Sequence, residues 1–349
     1  MPKQKKMAPE IELRSDTFTK PTPAMMEAIM EAKVGDDVFG EDETTNQLQN
    51  HCARLFGYEA ALFCTSGTMA NQIAISCWTR PGDELICDAL SHVHLYEGGG
   101  IASNSGVAVQ VLYGDRGRIS ADQVKSVIKE DNPHFPASKI VSLENTVNKG
   151  GGSCYEVAEI EKIKTVCTNR KLTLHLDGAR LFNAMVFQNE KPETFGKLFD
   201  SISICLSKGL GAPMGSVLLG NKDLIHQATR VRKRWGGGWR QSGYMAAAGL
   251  FALKNHVSRL KDDHERAATI ASILQSRSEV SKIMPVETNI VIFYVDPSWG
   301  NSSEWVSAAA KQGIGCATFG PDAVRMVTHL DFGDDELSKF SNKIAGFSK

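Results

Sequence analysis

The sequence predicts an α/β protein: a large domain with a mainly parallel sheet, plus a smaller C-terminal α+β domain. Three observations predict it. Short apolar runs alternate with helical patterns along most of the chain, and each run of strand formers stops at small or polar residues. Past residue 245 the rhythm changes to a long helical stretch followed by three further apolar runs. Strands separated by helical crossovers pair in parallel and need cover on both faces.

Taken in order, residues 1–10 form a polar arm and IELRSDT is extended. PTPAMMEAIMEAKVG has helical spacing, with Pro at its start and Gly35 at its stop. AALFC reads as a strand leading into the helical TMANQIAISCW, and DELICD as the next strand. VAVQVLY follows GGGIASNSG, ADQVKSVIKE is helical, KIVSLEN is strand-like and VAEIEKIKTVCTNR is a helix ending in Arg. LTLHLD, SISICLS and GSVLLG read as strands. YMAAAGLFALKNHVSRLKDDHERAATIASILQ is one long helical stretch, with NIVIFYVD, GIGCATFG and AVRMVTHLDF after it. The chain of 349 residues exceeds one ordinary core. We therefore expect an arm at 1–15, a large domain at 16–250 and a small domain at 251–349.

Composition narrows the partners. A formal net charge of −1 offers no field to draw nucleic acid or an anionic membrane. No run of 18 apolar residues is present and the N-terminus lacks a secretory pattern. The eight cysteines make no CxxC and sit mostly in apolar stretches, as buried reduced thiols do. A soluble cytoplasmic protein acting on a small molecule is expected.

The chemistry lies at strand ends. Asp177 closes LTLHLD, and Lys208 follows SISICLS and precedes the small residues of GLGAPMG. Neighbouring strand ends converge on one crevice. An acid and an amine facing each other there suit pyridoxal 5′-phosphate, whose aldehyde needs a lysine for its Schiff base and whose ring nitrogen needs a carboxylate. A plain Asp–Lys salt bridge is the alternative. CTSGTMANQ adds a Ser/Gly turn into a helix, where backbone N–H groups with Ser66 and Thr68 offer an anion site.

With those parts in hand, the sequence resembles the L-threonine aldolases of the aromatic amino acid β-eliminating lyase group, which have the aspartate-aminotransferase-type fold (fold type I). The resemblance runs from Leu13 to Phe332 through LRSDT, GDDVFGED, TSGTMAN, SHVHLYEGG, LENT, HLDGAR, SKGLGAPMGS, GGGWRQ and RMVTHLD. It implies that Lys208 carries pyridoxal phosphate, that Asp177 meets the ring nitrogen, and that Ser66, Gly67 and Thr68 hold the phosphate. It implies that His92 stacks on the ring, and that Ser15, Arg180 and Arg325 surround the substrate carboxylate, Arg180 also lying near the cofactor. It further implies a homotetramer, a dimer of dimers, in which Arg240 of RVRKRWGGGWRQ reaches a neighbour's cofactor phosphate. The charges of that segment have no evident partner in the sequence, and in a neutral chain a solvated face or a subunit contact is expected there before nucleic acid. The implied reaction cleaves Cα–Cβ of a β-hydroxy-α-amino acid, of the L-threonine or L-allo-threonine kind, to glycine and an aldehyde. Racemisation or β-elimination would need only a different bond aligned with the ring.

The chain departs from the family's pattern at Val147, where a histidine is usual after Glu-Asn-Thr, and at Phe39, where a tyrosine is common. Both changes are expected to make the substrate pocket less polar, leaving His92 or a water as base. His92 and His94 with Glu97 resemble a metal cluster if they lie on a strand, but no metal is expected. GLGAPMG superficially resembles a dinucleotide fingerprint, the mark of a nucleotide-dependent oxidoreductase, but its spacing is GxGxxxG and another strand follows it.

Overall fold

The computed structural model describes residues 8–347, so residues 1–7 of the polar arm expected at 1–10 lie outside the described residues. Seven strands form the main sheet in the order Ala60–Cys64, Ser216–Gly220, Ser201–Cys205, Thr173–Gly178, Ala137–Glu144, Asp83–Asp88 and Ala108–Leu112. Ser216–Gly220 runs antiparallel to both its neighbours, and every other pairing is parallel.

Alternation along each strand loads both faces. Ala61, Phe63, Ile86, Val141, Leu143, Val217 and Leu219 enter one core. On the other face, Leu62, Cys64 and Leu218 enter one smaller cluster, and Leu85, Cys87 and Ile140 another. The sheet is therefore covered on both sides. Its strand directions put Cys64, Asp88, Glu144, Gly178 and Cys205 along one edge, and the turns after them build the site.

A second, separate core lies mostly beyond residue 260. A four-stranded antiparallel sheet (Ala317–Thr318, Ala323–Val327, Ile290–Val295, Val280–Ile283) packs on the helices Leu260–Gln275, Ser302–Lys311 and Asp334–Ala345. Trp305 and Phe293 are fully buried and meet edge to face at 4.8 Å.

Two expectations change. The segment at 11–15 is no free arm, because Ile11 and Glu12 pair in parallel with Ile314 and Gly315, and Ile11 and Leu13 are buried in the second core. Their apolar side chains alternate along an extended backbone, which favours burial over solvent. The long helical stretch is two helices, Gly243–Asn255 and Leu260–Gln275. His256 caps the first and donates from Nδ1 to the carbonyl of Leu210 at 2.7 Å. Among the described residues no helix is long and apolar enough to cross a membrane. All eight cysteines are free.

Candidate active site

A cavity of about 140 Å³ opens where the strand ends meet the second core, lined by Ser15, Thr17, His92, Glu144, Asn148, Ala179, Arg180, Lys208 and Arg325. Five of these (Ser15, His92, Arg180, Lys208 and Arg325) are residues predicted from sequence. A larger surface groove of about 730 Å³ lies elsewhere, on the second core, but its Arg14 and Lys343 are already paired with Glu12 and Glu10.

Lys208 sits in the turn after Ser201–Cys205, and the Thr19 hydroxyl and the Gly211 N–H both donate to its carbonyl, at 3.1 and 2.8 Å. Its amine has neither a hydrogen bond nor an ion pair among the described residues. Asp177, in the neighbouring strand Thr173–Gly178, is buried and accepts from the Asn71 amide at 2.9 Å and the Ala179 N–H at 3.1 Å. The alternative, a plain Asp–Lys salt bridge, is therefore not formed.

Asn71 also donates to Glu97 at 3.0 Å, and Glu97 accepts from His92 Nδ1–H at 3.0 Å. Burial alone would lower the His92 pKa. The hydrogen bond to Glu97 and the charge of Asp177 outweigh it and raise the pKa. His92 lies on the short helix His92–Leu95, not on a strand, so His94 does not share its face. The acids that converge on His92 are Glu97 and Asp177, with ligand atoms within 4.8 Å of one another. Their hydrogen bonds to Asn71, and Glu97's to Gln72 at 2.7 Å, account for that cluster without an ion.

Ser66 caps the helix Gly67–Trp78, accepting from the Met69 N–H at 3.2 Å. Gly67 and Thr68 form the first helical positions, where N–H groups point outward with the positive end of the helix dipole. The Thr68 hydroxyl has no partner among the described residues.

Arg180 and Asp16 are both buried and joined twice, Nε to Oδ2 at 2.7 Å and Nη2 to Oδ1 at 2.8 Å. Burial alone would raise the Asp16 pKa; the Arg180 charge and hydrogen bonds reverse this and hold the carboxyl below its usual range. Arg325 donates to Asn148 Oδ1 at 2.8 Å and to the Arg14 carbonyl at 3.1 Å, while its Nε is buried without a partner. Burial and the nearby Arg180 charge lower its pKa to about 10. Ser15 Oγ accepts from the Thr17 N–H at 3.2 Å.

The cavity lining does not include Ser66, Gly67, Thr68 or Asp177, and three further residues singled out from the sequence lie elsewhere. Val147 is fully buried in the large core and lines no part of the cavity, contrary to the expectation that it faces the substrate. Its isopropyl group fills space beside Gly117, whose φ of +82° and missing side chain leave that space open. Phe39 is 74% exposed and so cannot make this chain's own pocket less polar. Arg240 is exposed, pairs with Asp36 at 2.9 Å and lies over the Phe39 ring. The neighbouring Arg232 is buried against Asp37 at 2.7 Å, so the basic segment has partners that the sequence did not reveal.

Glu144, Asn148 and Asp16 were missed. All three stand inside motifs quoted for the resemblance or next to them. None carried a signal of its own, because each acts through a partner distant in sequence.

The beta-eliminating lyase family model matches residues 12–298. The chain belongs to that family. The low specificity L-threonine aldolase of Escherichia coli strain K12 is 41% identical over 330 residues, covering 94% of this chain and 96% of that one. A low specificity L-threonine aldolase of Saccharomyces cerevisiae is 41% identical over 285 residues, covering 80% of this chain and 73% of that one. Among solved structures, Leishmania major threonine aldolase matches with a TM-score of 0.84 at 20% identity, covering 96% of this chain and 99% of that one. The shared fold places this lyase's strand-end crevice in a known architecture.

Proposed function

We propose that this lyase cleaves the Cα–Cβ bond of a β-hydroxy-α-amino acid of the L-threonine type, giving glycine and an aldehyde, with pyridoxal 5′-phosphate as cofactor. One observation carries the reading: an unpaired lysine amine lines a crevice together with His92 and two guanidinium groups, and hydrogen bonds through Glu97 and Asn71 link that His92 to the buried Asp177 carboxylate.

The donor set fits the cofactor. Lys208 Nζ is free to bond its aldehyde carbon, the buried Asp177 suits a protonated ring nitrogen, and Gly67 and Thr68 present amides and a hydroxyl to a phosphate. His92, held by Glu97, is the candidate for one face of the ring. When bound, the cofactor supplies the electron sink that a breaking Cα–Cβ bond requires.

The remaining residues bind and orient. Asp16 neutralises one guanidinium of the Arg180–Arg325 pair, so one positive charge is left for a substrate carboxylate. Arg325 and Ser15 line the same cavity. A carboxylate held there fixes rotation about Cα, and which bond stands across the ring then selects cleavage over proton loss at Cα. Charge-assisted bonds of this kind contribute about 1.5–3 kcal/mol each.

The same reading includes a homotetramer, a dimer of dimers, in which the loop bearing Arg240 approaches a neighbour's cofactor. It is supported by the exposed Phe39 and Trp239 that flank Arg240. Eight unpaired cysteines support a reducing, cytoplasmic setting.

A panel of β-hydroxy amino acids, scored for glycine and aldehyde against 2-oxo acid and ammonia, tests the reaction. Release of 2-oxo acid without glycine would replace cleavage by β-elimination.

A further inference from the structure

We propose that Glu144 is the catalytic base that takes the β-hydroxyl proton of the substrate. The inference rests on the aldolase reading above. Glu144 ends the strand Ala137–Glu144 and is only 4% exposed, and it lines the cavity shared with Lys208. Its carboxyl plane is fixed by two backbone donors on opposite sides, His92 N–H to Oε2 at 2.7 Å and Asn148 N–H to Oε1 at 2.9 Å. Among the described residues no cation forms an ion pair with it. Asp16, equally buried, is quenched by Arg180; Glu144 is a buried acid without such a partner.

Its environment tunes it for proton transfer. Glu144 and Asp177 are register partners on adjacent parallel strands, so two carboxylates share one edge. Burial and the Asp177 charge raise the Glu144 pKa, the two backbone N–H groups and the His92 charge pull it back, and it settles at about 7. The other charged groups around it are Lys208 and Arg325, which line the same cavity, and Arg180, on the turn after Asp177. A base whose pKa lies near the working pH combines availability with driving force.

The competing groups are worse placed. Glu97 holds His92 Nδ1 and favours the imidazolium, which donates protons. Val147 points into the core. Ser15 and Asn148 are not bases, and the Lys208 amine has no partner among the described residues to fix it, whereas two backbone N–H groups fix the Glu144 carboxyl.

The step balances without another reactant. Glu144 takes the hydroxyl proton, the O–H electron pair becomes the second bond of the aldehyde, and the Cα–Cβ bond breaks with its pair left at Cα. Glycine then takes one proton at Cα from solvent by way of the Lys208 amine, which lines the same cavity, and Glu144 returns its own proton to solvent, so the count balances and the carboxylate is restored.

The test uses the loaded enzyme and Glu144→Gln, with three readouts. Threonine cleavage should lose about 10²–10⁴-fold in kcat with KM nearly unchanged. Exchange of the glycine α-hydrogen with solvent deuterium, which involves no β-hydroxyl, should persist. Infrared difference spectra recorded across neutrality should lose a protonated-carboxyl band that wild type shows. Cleavage and exchange falling together would overturn the proposal, as would unchanged cleavage. Should Glu144→Gln fail to fold, Glu144→Asp decides: it should retain partial cleavage with a displaced pH limb, and an unmoved limb counts against Glu144. A wild type that exchanges glycine but cleaves no β-hydroxy amino acid would instead defeat the aldolase reading.

Discussion

Asp16 grips Arg180 through both of its oxygens, and the pair joins the N-terminal segment to the turn after Asp177. Both side chains are buried, so neither is replaced without leaving the other's charge stranded. Removing one partner of such a pair costs about 3–5 kcal/mol. Asp16→Asn should therefore lower the urea midpoint strongly at neutral pH.

The pH dependence has a definite sign. The folded Asp16 pKa lies below its ordinary 3.8, so the ionised pair contributes fully above that value. The contribution is lost as pH falls from the ordinary value through the lowered one. The stability gap between wild type and Asp16→Asn should stay constant from neutrality down to about pH 5 and close below about pH 4. A gap already closing near neutrality would contradict the assigned ion pair.

Lys208 should be the covalent site. Borohydride reduction of the loaded enzyme followed by peptide mapping should leave the label on Lys208, and a label on another lysine would end the assignment. Lys208→Ala should abolish turnover while phosphate contacts at Ser66–Thr68 still retain some cofactor.

The strands were legible in the sequence because each alternates and stops at polar residues, which local pattern alone reveals. The break at His256–Arg259 was not: HVSR contains no Pro or Gly, and the bend is held by His256 reaching Leu210. Lys208 and Asp177 were legible from their strand-end positions. Glu144 was not, because its chemistry comes from standing in register with Asp177, 33 positions later in the chain. The direction of Val147 was hidden for the same reason, since it depends on the space at Gly117.

Val147→His is thus expected to act on stability before specificity. An imidazole in the space beside Gly117 would sit near Asp88 in the core, and a poorly paired buried polar group costs about 1–3 kcal/mol. Denaturation should show the loss, while relative rates on threonine and a β-aryl analogue should stay near wild type. A marked gain for threonine would mean that the loop turns residue 147 toward the cavity.

Arg240→Ala mixed with Lys208→Ala tests shared sites. Hybrids should recover activity that neither variant has alone if the Arg240 loop serves a neighbour's cofactor. Sedimentation showing a fully active monomer would refute the assembly.

The pairing of Ile11 with Ile314 also bears on how the chain is made. These residues are separated by 303 positions, so Ile11 has no partner during synthesis until 303 further residues have been made. At about 5–20 residues per second that interval is roughly 15–60 s. During it the nascent chain carries Ile11 and Leu13 unshielded. The second core, with the Arg325 it contributes to the crevice, closes only after Ile314 has been made, so a product terminated before that point would contain Lys208 yet lack the Arg325 wall of the crevice.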